Sequence, residues 1–337
     1  MPALARDSNV LLNIDNVRKA FSVVRRRGLG VERKALRAVD GVSLAIRAGE
    51  SFGIVGESGS GKSTLGRLVL GLETPTSGSI RYRGANVRDL TSRGERAYWR
   101  EVQVIFQDPF SSLNPRMRIG GILAEPLCNF GGPVPGGHKA RIEELLRLVG
   151  LPEGAAQRYP HELSGGQRQR VAIAAALAAN PKVLVADEAV SALDVSVQAQ
   201  IVNLLIDLRE RLGLTYIFIT HQLNLCAYFC DRIAVLYLGQ VMEICDARRL
   251  LEDPLHPYTQ ALISAIPAVE PGRRRDRIVL SGEIPSPIDP PPGCPFQARC
   301  PRAIDKCGHV RPALVDVGDS RRIACHVVVE ELNVVPR

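Results

Sequence analysis

The sequence has no uninterrupted apolar stretch of about 18 residues and no charged-then-apolar leader. These absences predict a chain that neither spans a membrane nor enters a secretory route, and so a cytoplasmic one. Its basic runs, Arg25-Arg26-Arg27 and Arg273-Arg274-Arg275, are short and carry no interleaved aromatics, which favours solvated loops over a nucleic-acid surface. The same reading argues against a disulfide framework, because the cytoplasm keeps thiols such as these eight cysteines reduced. What is present is a hydrophobic fraction of 45%, ample for a core, in 337 residues, a length that predicts a main domain with a smaller appendage. The net charge of +8 and pI near 9.2 favour an anionic partner: nucleotide, nucleic acid or an anionic membrane leaflet.

The chain is organised around Gly56-Glu57-Ser58-Gly59-Ser60-Gly61-Lys62-Ser63-Thr64, which follows the apolar run at 51–55 and precedes a helical pattern at 65–70. This G-x-x-x-x-G-K-[ST] form folds tightly, points backbone N–H groups inward and ends on the positive end of a helix, which suits phosphates. Lys62 is expected to reach the β- and γ-phosphates and the Ser63 hydroxyl to ligate Mg²⁺. Upstream, residues 10–17 and 39–46 read as strands, with Phe21 between them either stacking on an adenine ring or packing in the core. Downstream, 79–83 and 102–106 read as strands, the second ending at Gln107, whose amide lies within reach of Mg²⁺ or its water. Residues 108–160 turn helical, broken by Pro109, Pro115, Pro126, Pro133 and Pro135, with the clearest helix at 141–150. This reads as a helical subdomain, about 108–180, inserted into an α/β body.

Leu163-Ser164-Gly165-Gly166-Gln167 then opens an alanine-rich helix, either as a second anion site or as an ordinary cap. Adjacent glycines favour the first, since they are destabilising unless something approaches the backbone closely. The run Val183-Leu184-Val185-Ala186-Asp187-Glu188 reads as a buried parallel strand ending at a site. Asp187 is expected to hold Mg²⁺ through water, and Glu188 to orient or deprotonate an attacking water. A turn follows at Ser191-Ala192-Leu193-Asp194, then a helix, then the buried strand 216–220 ending at His221, which is either a structural residue or a γ-phosphate contact. Cys226 and Cys230 read as small buried side chains. Beyond Pro254 the chain becomes proline-rich and carries Cys294, Cys300, Cys307 and Cys325, a spacing for four thiolates on an iron–sulfur cluster or zinc, the wide loops favouring the larger cluster over zinc, with free thiols as the remaining alternative.

In this order these motifs resemble the ATP-binding subunits of ABC transporters: Walker A at 56–64, Q-loop Gln107, signature 163–167, Walker B 183–188, D-loop 191–194 and switch His221. The resemblance implies a P-loop α/β fold with an antiparallel β subdomain and a helical insert, ATP and Mg²⁺, and a head-to-tail dimer. In that dimer Leu163 to Gln167 of one subunit complete the ATP site of the other, and Phe21 stacks on adenine. Two positions depart from the family pattern, Ala189 where proline is usual and Gln222 where aspartate is usual. Neither removes a phosphate-contacting group. The segments at 107–116, 191–200 and 254–259 further resemble the oligopeptide/dipeptide importer branch. That implies a second homologous ATPase subunit in a heterodimer, two transmembrane permeases that dock near 108–130, and an extracytoplasmic substrate-binding protein. It also implies a peripheral place on the cytoplasmic face of the membrane and, in some members, a [4Fe–4S] cluster in the tail. The expected division is 1–250 for the nucleotide-binding domain and 251–337 for the extension. Related importers carry peptides, nickel chelates or opines. A soluble ABC ATPase acting on nucleic acid or ribosomes is the alternative, but such proteins carry two cassettes or a long coiled coil and this chain carries neither, so no nucleic acid is expected.

Overall fold

The computed structural model describes residues 9–27, 30–108, 112–130, 136–266 and 277–334. The arginine run at 273–275 and the importer-like residues 109–111 lie outside them. In chain order come β1 (Val10–Arg27), β2 (Gly30–Arg47), β3 (Ser51–Val55), α1 (Lys62–Val69), β4 (Ser77–Tyr82), β5 (Ala85–Asn86), α2 (Ser92–Glu101) and β6 (Val102–Ile105). Then follow α3 (Ile119–Phe130), α4 (Gly137–Leu148), α5 (Gly165–Ala178), β7 (Val183–Asp187), α6 (Val195–Leu212), β8 (Thr215–Thr220), α7 (Leu223–Phe229), β9 (Arg232–Tyr237) and β10 (Gln240–Asp246). The tail adds α8 (Ala247–Glu252), α9 (Pro257–Ser264), α10 (Asp305–His309), β11 (Val315–Asp316), β12 (Arg322–Ile323) and α11 (His326–Glu331). No described helix is long and apolar enough to cross a membrane.

The chain divides into two compact units, the first Met1–Arg47, Ser51–Arg88 and Thr220–Arg337, the second Ala48–Glu50 and Asp89–Ile219. The first unit holds the antiparallel sheet β2-β1-β4-β5 and the strand run β11-β12-β10-β9-β3, in which β3 lies parallel to β9. Leu12, Ile14 and Val17 on β1 and Val42, Leu44 and Ile46 on β2 are buried, the period-2 pattern of a half-buried strand. A register shift between Ile14 and Val17, with Asn16 at φ 43°, keeps Val17 facing inward after an odd step. The hairpin is longer than the two short strands predicted. Arg25, Arg26 and Arg27 pair with Glu32, Val31 and Gly30, so this basic run ends a strand and is not a loop, cross-strand pairing having extended past the apolar residues that carry the sequence signal.

The second unit holds β8-β7-β6, all parallel, with β7 and β8 buried along almost their whole length. Both faces are covered, which is why their residues read as unbroken apolar runs. Pro126 does not break its helix: α3 runs through it, because Ile119, Ile122, Leu123 and Leu127 form a buried stripe whose packing outweighs one lost backbone hydrogen bond.

Candidate functional site

The phosphate loop of the first unit connects β3 to α1. Its glycines are dictated by backbone crowding: a Cβ on Gly61 would lie 2.1 Å from the Ala38 carbonyl oxygen, and one on Gly56 would lie 2.2 Å from that of Leu236. Gly61 sits at φ 97° as the N-cap of α1 and offers no side-chain cap, so the helix's first N–H groups face the loop. Lys62 is 4% exposed, and its Nζ donates to the carbonyls of Gly56 and Glu57, both at 2.8 Å. A buried ammonium inside a ring of loop carbonyls, at a helix N-terminus, is a cradle for polyphosphate with its cation already in place. Ser63 and Thr64 follow in the first turn of α1, and Ser58 and Gly59 form the exposed tip.

Sequence reading missed two partners of this loop. The Glu57 carboxylate takes a two-pronged ion pair from Arg299 (2.7 and 3.1 Å), and the Glu57 backbone N–H donates to the Tyr258 hydroxyl at 3.0 Å. Tyr258 belongs to the importer-like segment at 254–259. That segment is anchored by Glu243, a fully buried carboxylate on β10 that accepts from the backbones of Leu255 and His256 and pairs with Arg321 at 3.6 Å. Burial raises the Glu243 pKa, against the pull of these donors. The His256 ring in turn caps α9, accepting from the Tyr258 N–H, and burial pushes its pKa down to about 3.

In the second unit, β7 delivers Asp187 and Glu188 past its buried stretch. Glu188 stands at φ 50°, a left-handed backbone that a non-glycine residue adopts only when its surroundings enforce it. Three bonds enforce it here. The Glu188 N–H donates to the Ile219 carbonyl at 2.9 Å, and the Glu188 carbonyl accepts from the Ser191 N–H and hydroxyl, both at 3.0 Å. The D-loop serine therefore shapes the turn that aims the carboxylate. Gln107, just beyond β6, donates its amide to the Glu188 carboxylate at 3.0 Å, uniting two residues 81 positions apart, one read from the sequence as a contact of Mg²⁺ or its water and the other as the residue that handles the attacking water. Asp187 is half-buried beside them.

The signature turn, also in the second unit, carries both readings at once. Ser164 and Gln167 form a reciprocal capping box, Gln167 N–H to the Ser164 hydroxyl at 3.3 Å and Ser164 N–H to the Gln167 amide oxygen at 3.1 Å. Leu163 is buried just ahead of it. What approaches Gly166 within this chain is Val197, whose Cγ1 would meet an added Cβ at 2.7 Å, while Gly165 has only an ordinary contact with Leu193. Ala192 and Leu193 complete the D-loop turn, and Asp194 is the N-cap residue of α6.

In the first unit His221 is exposed directly after β8. Phe21 is half-buried opposite Leu36 on the hairpin, with the Lys19 ammonium 4.9 Å from its ring centre, and is not a core residue. Cys226 and Cys230 are buried against β3 with their sulfurs 3.6 Å apart, as expected of small packing residues.

The tail draws its four cysteines into one small module. The Cys294 N–H donates to the Cys307 carbonyl at 2.8 Å, and a Cβ on Gly293 would lie 2.2 Å from that same oxygen. Burial pushes the Cys294 thiol up to about 12, and the nearby Cys307, Cys300 and Cys325 add to the rise; burial also raises Cys300 and Cys325. The donor set suits a thiolate-bound group in kind. Among the described residues, however, no three or more His, Cys, Asp or Glu side chains are gathered so as to hold a metal ion. The expected cluster therefore finds no metal-holding arrangement among the described residues: Cys294, Cys307 and Cys325 are buried and Cys300 is half-buried.

A glycine-cradled lysine at a helix start and a carboxylate at the end of a buried parallel strand define a P-loop ATPase. The ABC transporter family matches residues 39–191, and the oligopeptide/dipeptide transporter C-terminal region matches residues 242–307. The oligopeptide transport ATP-binding protein YkfD of Bacillus subtilis is 49% identical over 94% of this chain and 95% of its own length. A peptide import ATP-binding protein of Brucella abortus is 49% identical over 96% of each. Among solved structures, the ATP-binding cassette MJ0796 bound to ADP and Pi is similar with a TM-score of 0.60 and 32% identity over 71% of this chain and 99% of that one. The cassette cbiO1 of Clostridium perfringens has a TM-score of 0.63 and 26% identity over 73% and 92%. The chain belongs to the ABC transporter family, as an ATP-binding subunit of its oligopeptide/dipeptide branch.

Proposed function

We propose that this chain is the ATP-hydrolysing subunit that drives import of oligopeptides or dipeptides. The observation that carries the reading is Glu188, held in a left-handed turn at the end of β7 with its carboxylate gripped by Gln107. A carboxylate fixed at such an angle orients and deprotonates water. Lys62 and the N–H groups of residues 56–64 bind the β- and γ-phosphates, with Ser63, Gln107 and Asp187 as the residues that would hold Mg²⁺. While Gln107 donates to Glu188 the carboxylate is engaged, and loss of that hydrogen bond would free it for water. His221 contacts the γ-phosphate and Phe21 stacks on adenine. The Ser164 to Gln167 helix start closes over the ATP of a second, homologous subunit, which couples hydrolysis to dimer opening.

The partners on this reading are that second subunit, two membrane permeases that dock near 108–130 and a substrate-binding protein, with this chain peripheral on the cytoplasmic face. A [4Fe–4S] cluster in the tail, which the resemblance implies and the packing of Cys294, Cys300, Cys307 and Cys325 does not support, is tested by iron content and visible absorbance of anaerobically purified protein. The solute is tested by uptake in a strain lacking this chain. Loss of labelled di- or oligopeptide uptake is expected, whereas intact peptide uptake with loss of nickel-chelate or opine uptake would reassign the substrate. Recovery of ribosomes and no permease from detergent extract would favour the soluble alternative.

A further inference from the structure

Arg299 lies in the C-terminal tail, 242 residues beyond Glu57, at the end of a short 3-10 turn, Gln297–Arg299, bounded by Phe296 and Cys300. Its guanidinium meets the Glu57 carboxylate on both prongs, with the two side chains only 10% and 27% exposed. The same group lies 5.8 Å from the Tyr237 ring and donates to the Tyr237 hydroxyl at 3.4 Å. Tyr237, Tyr258 and Phe296 pack ring against ring at centre distances of 4.8 to 5.3 Å, and Phe296 is 1% exposed. The turn that presents Arg299 is thus docked by a buried aromatic cluster. The tail also holds the hairpin: Arg311 pairs with Asp40 at 2.7 Å, and Pro287 accepts from the Arg37 N–H at 2.9 Å.

Glu57 needs such a partner. It puts a negative charge into the loop that must receive a polyanion, and like charges at close range in a partly buried setting repel strongly. Arg299 cancels that charge and, through its fork, fixes where the carboxylate points. The Tyr258 hydroxyl and the Lys62 ammonium fix the backbone of the same residue, at its N–H and its carbonyl. Glu57 is therefore held at three points, two of them supplied by the tail.

We infer that Arg299 is a positioning residue for nucleotide binding: it neutralises and clamps Glu57, so that the phosphate loop is already ordered for ATP. The inference rests on the reading of the loop as an ATP site. It makes the tail part of the ATPase, with the affinity for ATP dependent on a residue outside every nucleotide motif.

The test is titration of the full-length chain with a fluorescent ATP analogue, alongside steady-state ATPase assays, with Lys62→Ala as the control that removes binding. Arg299→Ala should weaken affinity about tenfold, the size of one partly buried charge-assisted pair. The loss should appear in KM for ATP and not in kcat. Adding Glu57→Gln to Arg299→Ala should recover most of the affinity, because the uncompensated charge is gone. A purely structural role for Arg299 predicts no such recovery. Should Arg299→Ala not fold, Arg299→Lys keeps the charge without the fork and should bind about threefold more weakly. Wild-type affinity in the folded Arg299 variants, or a double variant no better than Arg299→Ala, would overturn the inference. A wild-type chain that binds no better than Lys62→Ala would overturn the ATP reading itself.

Discussion

The helix that starts at Lys62 has Gly61 as its N-cap and the helix that starts at Gly165 has Ser164 as its N-cap; both present an anion-attracting N-terminus, but they use glycine differently. At the phosphate loop, Gly61 has φ 97° and a carbonyl oxygen 2.1 Å from where its Cβ would be. Neither the dihedral nor the backbone neighbour can yield to an alanine. At the signature, Gly166 is an ordinary helical residue and its tight neighbour is a side-chain methyl of Val197. The first helix start has no side-chain cap, while the second is closed by its own capping box. One end is built open for a ligand. The other is self-sufficient in this chain.

That contrast is open to direct attack. The largest effect is expected from Gly61→Ala, which combines a left-handed φ with a backbone clash and should lose about 2–4 kcal/mol of stability together with nucleotide binding, read by thermal unfolding and analogue titration. Retained binding would mean that the loop is more pliable than its geometry implies. Gly166→Ala should cost less, about 1–2 kcal/mol, and Val197→Ala should relieve it in the double variant, since only one methyl group is in the way. Non-additivity is the result that matters: if Val197→Ala brings no relief, Gly166 is required for something other than this packing.

A pH dependence also separates the two helix starts. His256 stays neutral in the folded chain down to about pH 3, because burial opposes its charge, while the unfolded chain takes up a proton near its ordinary 6.5. Between these values the unfolded state binds more protons, so stability falls as pH falls, by up to about 1.4 kcal/mol per unit. His256 holds Tyr258, which holds the Glu57 N–H. Acid should thus lower amide protection in the phosphate loop, read as exchange relative to the intrinsic rate at each pH, before it does so at the signature, and His256→Gln should flatten the dependence.

The sequence made the catalytic elements legible wherever the signal is local. Four apolar residues in a row before Asp187 and Glu188 reveal a strand buried on both faces. The spacing of glycines before Lys62 reveals the cradle, because backbone crowding leaves few alternatives there. It could not reveal what depends on distant partners. Nothing near Glu188 in the sequence announces its left-handed φ, which the Ile219 carbonyl and the Ser191 hydroxyl enforce. Nothing near Arg299 announces Glu57. The arginines at 25–27 read as a loop because polarity was the only local signal, and strand pairing across the hairpin overrode it. The tail cysteines show the reverse limit: their spacing speaks of a metal, while the packing that decides whether thiols ionise is set by the whole module.

The central claim, that Glu188 performs the chemistry in a cassette whose phosphate loop binds independently of it, is tested most directly by Glu188→Gln. This swap keeps the shape and the partner at Gln107 but removes the base. The account predicts ATP affinity within about twofold of wild type and turnover reduced by about two orders of magnitude or more. Full residual ATPase in a variant that binds ATP normally would contradict it.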